Sequence, residues 1–157
     1  MLDPTNFDAG PLAAVSSHEN ADGTWTVTFV RELSHPPERV WNALVRVDEV
    51  SKWAPFEPDR DLDSTGPAVL TMIDGDTRME MPATVLRAEP PAVLEYTWGK
   101  DLLRWELEPV DTGTRLTLRH TLSEPDMRAM VAAGWHICFG VLDRLLAGDP
   151  VGVIRGR

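Results

Sequence analysis

The chain has 157 residues and a formal net charge of −10 at pH 7, from 15 basic and 25 acidic side chains. That length fits one domain, able to bury a core without disulfides or a structural metal. The acidic balance argues against nucleic acid and against docking on an anionic membrane surface, since both need a basic footprint.

The single cysteine, Cys138, cannot form an internal disulfide. The opening MLDPTNFDAG lacks the basic start and apolar stretch of a signal peptide. No window approaches the roughly 18 apolar residues of a membrane helix. These features predict a cytoplasmic protein with no membrane partner.

Residues 1–23 carry four acids and no Lys or Arg, and read as a loosely ordered acidic leader. Residues 24–148 read as one domain, and 149–157 as a short tail. The first strand is TWTVTFVREL (24–33), where Trp25, Val27, Phe29, Arg31 and Leu33 share one parity. Pro36-Pro37 opens a short helix through Val40, Trp41 and Leu44, because proline fits a first helical turn. Asp48 is placed as the N-cap of a second short helix reaching Trp53.

After a Pro/Asp-rich loop over 54–67 come strands near 67–73 and 78–88, with a hairpin signal at Asp74-Gly75. Strands at 92–98, 102–109 and 114–122 follow, joined by short turns and therefore antiparallel. A long helix spans about 125–147, with Ser123 and Asp126 spaced as a capping box. Its apolar stripe includes Met127, Met130, Gly134, Cys138, Leu142 and Leu145. The expected architecture is α+β: a curved antiparallel sheet of about six strands wrapped around a long C-terminal helix, with two short helices after the first strand.

Arg31 and His120 stand out because each falls on the apolar parity of its strand. A buried Arg requires a carboxylate, a carbonyl or a ligand acid beside it. Trp25, Phe29, Tyr96, Trp98, Trp105 and Trp135 fall near the space between sheet and helix. They either fill that space or line an apolar pocket. Gly134 and Gly140 each cost about 1 kcal/mol inside a helix, which suggests close approach to the sheet or a ligand. Asp59-Arg60-Asp61-Leu62-Asp63 has three acidic spacings of a calcium loop but fails at Ser64 and Leu70. No metal and no cofactor is expected, the histidines lacking ligand spacing. Nucleophile and phosphate-loop motifs are missing, Cys138 lies on the apolar stripe, and Glu95 and Glu106 fall on the outer parity.

The element order resembles the helix-grip plan of the START and birch-pollen-allergen superfamily (SRPBCC). FVRELSHPPERVWNAL (29–44) and KWAPF (52–56) resemble the opening of the family of homologues of the activator of the heat-shock-protein-90 ATPase. PPAVLEYTWG (90–99), RWELEPVDTGTRLTLRHTL (104–122) and GWHICFGVLDRLLAGDPVG (134–152) resemble its middle and closing blocks. The similarity covers about residues 25–152. It implies a cavity between sheet and helix that takes a small hydrophobic or amphipathic ligand. Arg31, Tyr96, Trp98, Trp105, His120 and Trp135 would line it, with Arg31 and His120 close together at a polar end, since the first and last strands of this fold are usually neighbours.

Two other readings follow from the same resemblance. One is a cyclase- or aromatase-like enzyme with His120 as its base. The other is a co-chaperone-like interaction module with a chaperone partner and a place in the stress response. A homodimer through sheet edges or the helix surface is a further expectation.

Overall fold

The computed structural model describes residues 14–148 apart from Gly75 and Thr112. One antiparallel sheet of eight strands carries three helices. The strands are β1 (Ala14–Glu19), β2 (Trp25–Leu33), β3 (Glu57–Pro58), β4 (Gly66–Asp74), β5 (Thr77–Glu89), β6 (Val93–Trp98), β7 (Asp101–Val110) and β8 (Gly113–Leu122). Their spatial order is β1-β2-β8-β7-β6-β5-β4-β3. Helices α1 (Pro37–Val45) and α2 (Val47–Trp53) follow β2, and α3 (Arg128–Leu146) closes the described chain. This is the expected helix-grip arrangement, with eight strands in place of about six.

The two additional strands are both sheet edges. β1 lies within the segment read as a loose leader, and it pairs with β2 from Ala14↔Val30 to Glu19↔Trp25. Its sequence shows no apolar alternation because its described side chains, Val15 to Glu19, are all exposed. Its ladder to β2 is what fixes it in the sheet. β3 is two residues long and ends the opposite edge with Pro58, which lacks a backbone donor. Residues 1–13 of the leader and the tail 149–157 lie outside the described residues.

Two expected caps give way to longer-range contacts. α2 is entered from Arg46, without a side-chain cap of its own. Its first amide, Val47 N–H, instead donates to Asp61 Oδ1 at 2.9 Å. The Pro/Asp-rich loop thus supplies an acceptor at this helix start, where Asp48 is the expected cap. At the other helix, residues 125–127 form a 3-10 turn and α3 begins at Arg128, with no side-chain cap. Ser123 instead turns its amide and hydroxyl toward Asp101.

The register sorts the inner face of the sheet into rows. One row runs Val27, His120, Leu103, Tyr96, Val85. The next runs Phe29, Leu118, Trp105, Leu94. Against them α3 lays Trp135, Cys138, Phe139, Leu142 and Leu145, all buried. The outer face is solvated, and there Arg104 bridges Glu95 and Glu106 while Arg119 also reaches Glu106. These half-buried ion pairs place Glu95 and Glu106 outward, as their parity predicts.

Gly113, at φ +145°, is the glycine the fold most plainly requires. A Cβ there would run into the Leu33 carbonyl and stand 2.6 Å from the His35 amide. Gly134 corrects the expectation of close approach: it is exposed, and nothing lies within 4 Å of where its Cβ would stand. Gly134→Ala is therefore expected to stabilise the protein by about 1 kcal/mol. A thermal melt should show a rise of about 2–4 °C.

The N-terminal half of α3 is less covered than its apolar stripe suggests, with Met130 66% exposed. By length and composition α3 passes the test for a membrane-crossing helix, as the core helix of a soluble protein also does. Its second half packs on the sheet as a core helix.

Candidate functional site

The space between sheet and α3 is filled by rings. Trp105 of β7 stands at its centre, edge-on to Trp53 at 5.7 Å, to Trp135 at 5.4 Å and to Phe139 at 6.2 Å. Phe56 packs edge-on against Trp98 at 4.9 Å and Tyr96 at 6.3 Å. Tyr96, Trp105 and Trp135 are thus core side chains, and the alternative in which aromatics fill the space describes the middle of the molecule. Trp53, Phe56 and Phe139 complete the cluster. Trp53 and Phe56 lie in segments whose sequence predicts a short helix and a loop, with no signal of their inward role.

His120 is held on both ring nitrogens. Trp135 Nε1–H donates to His120 Nδ1 at 2.9 Å, and His120 Nε2 lies 2.8 Å from Asp101 Oδ2. An indole N–H can only donate, so Nδ1 is the acceptor and the ring proton sits on Nε2, toward Asp101. Both nitrogens of the group expected to act as base are thus engaged within the fold. Burial pushes the Asp101 carboxyl up, but the hydrogen bonds from His120 and Ser123 outweigh it. The group is held below the ordinary carboxylate value.

Because its folded value is lowered, Asp101 contributes its full stabilisation above about pH 4, the unfolded value. That contribution is lost as pH falls through the lowered one. Urea midpoints measured from pH 7 to pH 3 should therefore fall more steeply at the acid end for the wild type than for Asp101→Asn.

Arg31 is buried, its side chain 5% exposed, and its guanidinium meets Asp143 of α3 at 3.2 Å. This satisfies the requirement for a carboxylate. Arg31 and His120 do not meet, however. β2 and β8 are neighbours as expected, yet Val27 is the residue paired with His120 while Arg31 is paired with Leu116. Four residues along a strand separate the two by roughly 13 Å. Each takes its own partner from a different turn of α3, so they form two anchors and not one polar end.

Trp98 is the exception among the inner aromatics. Trp53 Nε1 donates to the Ala43 carbonyl, Trp105 Nε1 to the Tyr96 hydroxyl and Trp135 Nε1 to His120. Trp98 Nε1 is buried and has no hydrogen-bond partner among the described residues. Leaving such a donor unpaired costs about 1–3 kcal/mol. Trp98 is half-buried at the rim of the cluster, and its strand partner is Asp101.

Beyond that rim the inner face continues uncovered. Met72 pairs with Met79, and Leu70 with Met81, on the parity of buried Ala68, Leu70 and Ala83. Met79 is nevertheless 54% exposed. Met81 reaches back over the turn at Gly99, where a Cβ would stand 2.5 Å from its Cε. The methionines are adaptable apolar groups with three rotatable bonds each.

A separate groove of about 570 Å³ lies between β1 and the first turns of α3. Its walls include Ser16, Ser17, Asp126, Arg128 and Ala132. It has volume but no orphaned polar atom on its lining. Cys138 is buried and its thiol is pushed up to about 12 by desolvation, which keeps it protonated and inert. Among the described residues no group of His, Cys, Asp and Glu could hold a metal ion.

The family model for Activator of Hsp90 ATPase homolog 1-like protein matches residues 34–147. The chain belongs to that family. Solved structures agree on the fold of this family member. CalU16 from Micromonospora echinospora has a TM-score of 0.71 at 20% identity, over 93% of this chain and 80% of that one. A Mesorhizobium loti protein has a TM-score of 0.68 at 27% identity, over 80% and 99%. The AHSA1 protein from Silicibacter pomeroyi has a TM-score of 0.69 at 22% identity, over 79% and 99%. A search of curated proteins finds no match.

Proposed function

We propose that this member of the activator-homologue family binds a small apolar or amphipathic molecule at the methionine-lined end of the sheet–helix interface. The observation that carries this reading is the buried, unpartnered Trp98 N–H beside an uncovered inner face. The filled aromatic interior supports moving the ligand outward, from the middle of the sheet to its open end. There Met72, Met79, Met81 and Trp98 offer apolar contact, and Trp98 offers one unmet donor. Arg31 and His120 then act as structural anchors of α3. A cytoplasmic setting fits the single buried thiol.

Native mass spectrometry of freshly purified protein, followed by solvent extraction, tests the reading. An adduct that extraction removes is the expected result. A bare chain mass, together with no calorimetric heat on adding 1-decanol, would contradict it.

The family match favours a second reading, a chaperone-facing surface. Leu86, apolar and 50% exposed at the register shift of β5 between Val85 and Arg87, is a candidate contact. A chaperone ATPase rate that rises with this protein and not with Leu86→Glu would support it.

A further inference from the structure

Given that reading of the site, the chemistry around Trp98 restricts the head of the ligand. Trp98 Nε1 is a donor only, so the ligand must bring an acceptor. Directly across the β6–β7 pair stands Asp101, which shares the inner parity with Leu103 and Trp105. Its side chain is 23% exposed, so it meets whatever enters at this end. Oδ2 accepts from His120 at 2.8 Å, whereas Oδ1 accepts only two long bonds of 3.3 Å from Ser123. Oδ1 therefore keeps capacity for a further donor.

Asp101 is held as a carboxylate by the bonds it accepts from His120 and Ser123. Trp135 donates to His120 Nδ1, so that nitrogen acts as the acceptor and Nε2 faces Asp101 as the donor. An anionic headgroup brought beside Trp98 would thus face a carboxylate in a half-buried setting, where like charges repel more strongly than in water. A hydroxyl or amide has the opposite character: it accepts from Trp98 and donates to Asp101.

We infer that the site selects an uncharged headgroup carrying both a donor and an acceptor, an alcohol or amide, on an apolar body, and rejects carboxylates. The Trp98 indole and the Asp101 carboxylate are its paired determinants.

Calorimetric titration with 1-decanol and with decanoate at pH 7 reads this directly. The alcohol is expected to bind at least tenfold more tightly than the carboxylate. Trp98→Phe should weaken 1-decanol at least fivefold, and Asp101→Asn should narrow the gap between the two probes. Circular dichroism melts establish that each variant is folded. Equal affinity for both probes, or a preference for decanoate, would overturn the headgroup assignment while leaving a ligand site in place. Binding of neither probe to the wild type would overturn the assignment and the binding reading together. A folded Asp101→Asn protein that still rejects decanoate as strongly as the wild type would remove Asp101 from the account.

Discussion

Trp105→Ala is expected to lower the stability of this protein by about 3–5 kcal/mol, the range for emptying a well-packed aromatic position. Trp105 is almost fully buried and touches Trp53, Trp135 and Phe139, and its N–H donates to the Tyr96 hydroxyl. Trp98→Phe should behave in the opposite way. It keeps most of a half-buried ring and removes a donor that has no acceptor in the fold, so stability should stay level or rise by about 1 kcal/mol. Chemical denaturation of the two variants separates an occupied interior from an open end. Were Trp105→Ala to cost no more than Trp98→Phe, the interior would not be packed as described. A gain in stability on losing a binding group is the usual mark of a functional position.

The second large effect falls on the Asp101–His120–Trp135 chain. His120→Ala leaves the Trp135 N–H unpaired in the core, at about 1–3 kcal/mol, and also empties the space of a buried ring. In a Trp135→Phe background the donor is already gone. The cost of His120→Ala should then fall by about 1–3 kcal/mol, and a double-mutant cycle measures that difference. Additive costs would mean that the indole and imidazole do not act as a bonded pair. The chain also joins α3 to the β7–β8 part of the sheet, through a bond from a helix residue to a strand residue.

Much of this architecture was readable because period-two patterning survives wherever one face of a strand is buried. Arg31 and His120 were both assigned inward from parity alone, and both are inward and buried. Parity names a face but not a row. The four-residue offset between Arg31 and His120 comes from how β2 and β8 align, which neither strand's pattern contains. Asp101 follows Gly99-Lys100 and falls between the expected strands at 92–98 and 102–109, where a turn is expected. Yet it shares the parity of Leu103, Trp105 and Leu107, and that was the available signal. Asp143 had none, since the partner of a buried Arg is named only by packing. β1 was illegible for a different reason: an exposed edge strand needs only backbone pairing, so its side chains are unconstrained. The caps failed similarly. Ser123 and Asp48 are suitable residues at suitable spacing, but Asp101 draws the first and Asp61 replaces the second.

The proposed ligand site turns on one indole, that of Trp98. The most direct measurement is a two-dimensional nitrogen–proton spectrum of the tryptophan indoles, recorded as 1-decanol is added. The Trp98 indole resonance, identified by its loss in Trp98→Phe, is expected to move downfield as its proton gains an acceptor. The Trp53 and Trp135 indoles, already bonded to Ala43 and His120, should stay in place. Movement of the Trp105 and Trp135 resonances with Trp98 unchanged would put the ligand in the interior and contradict the account.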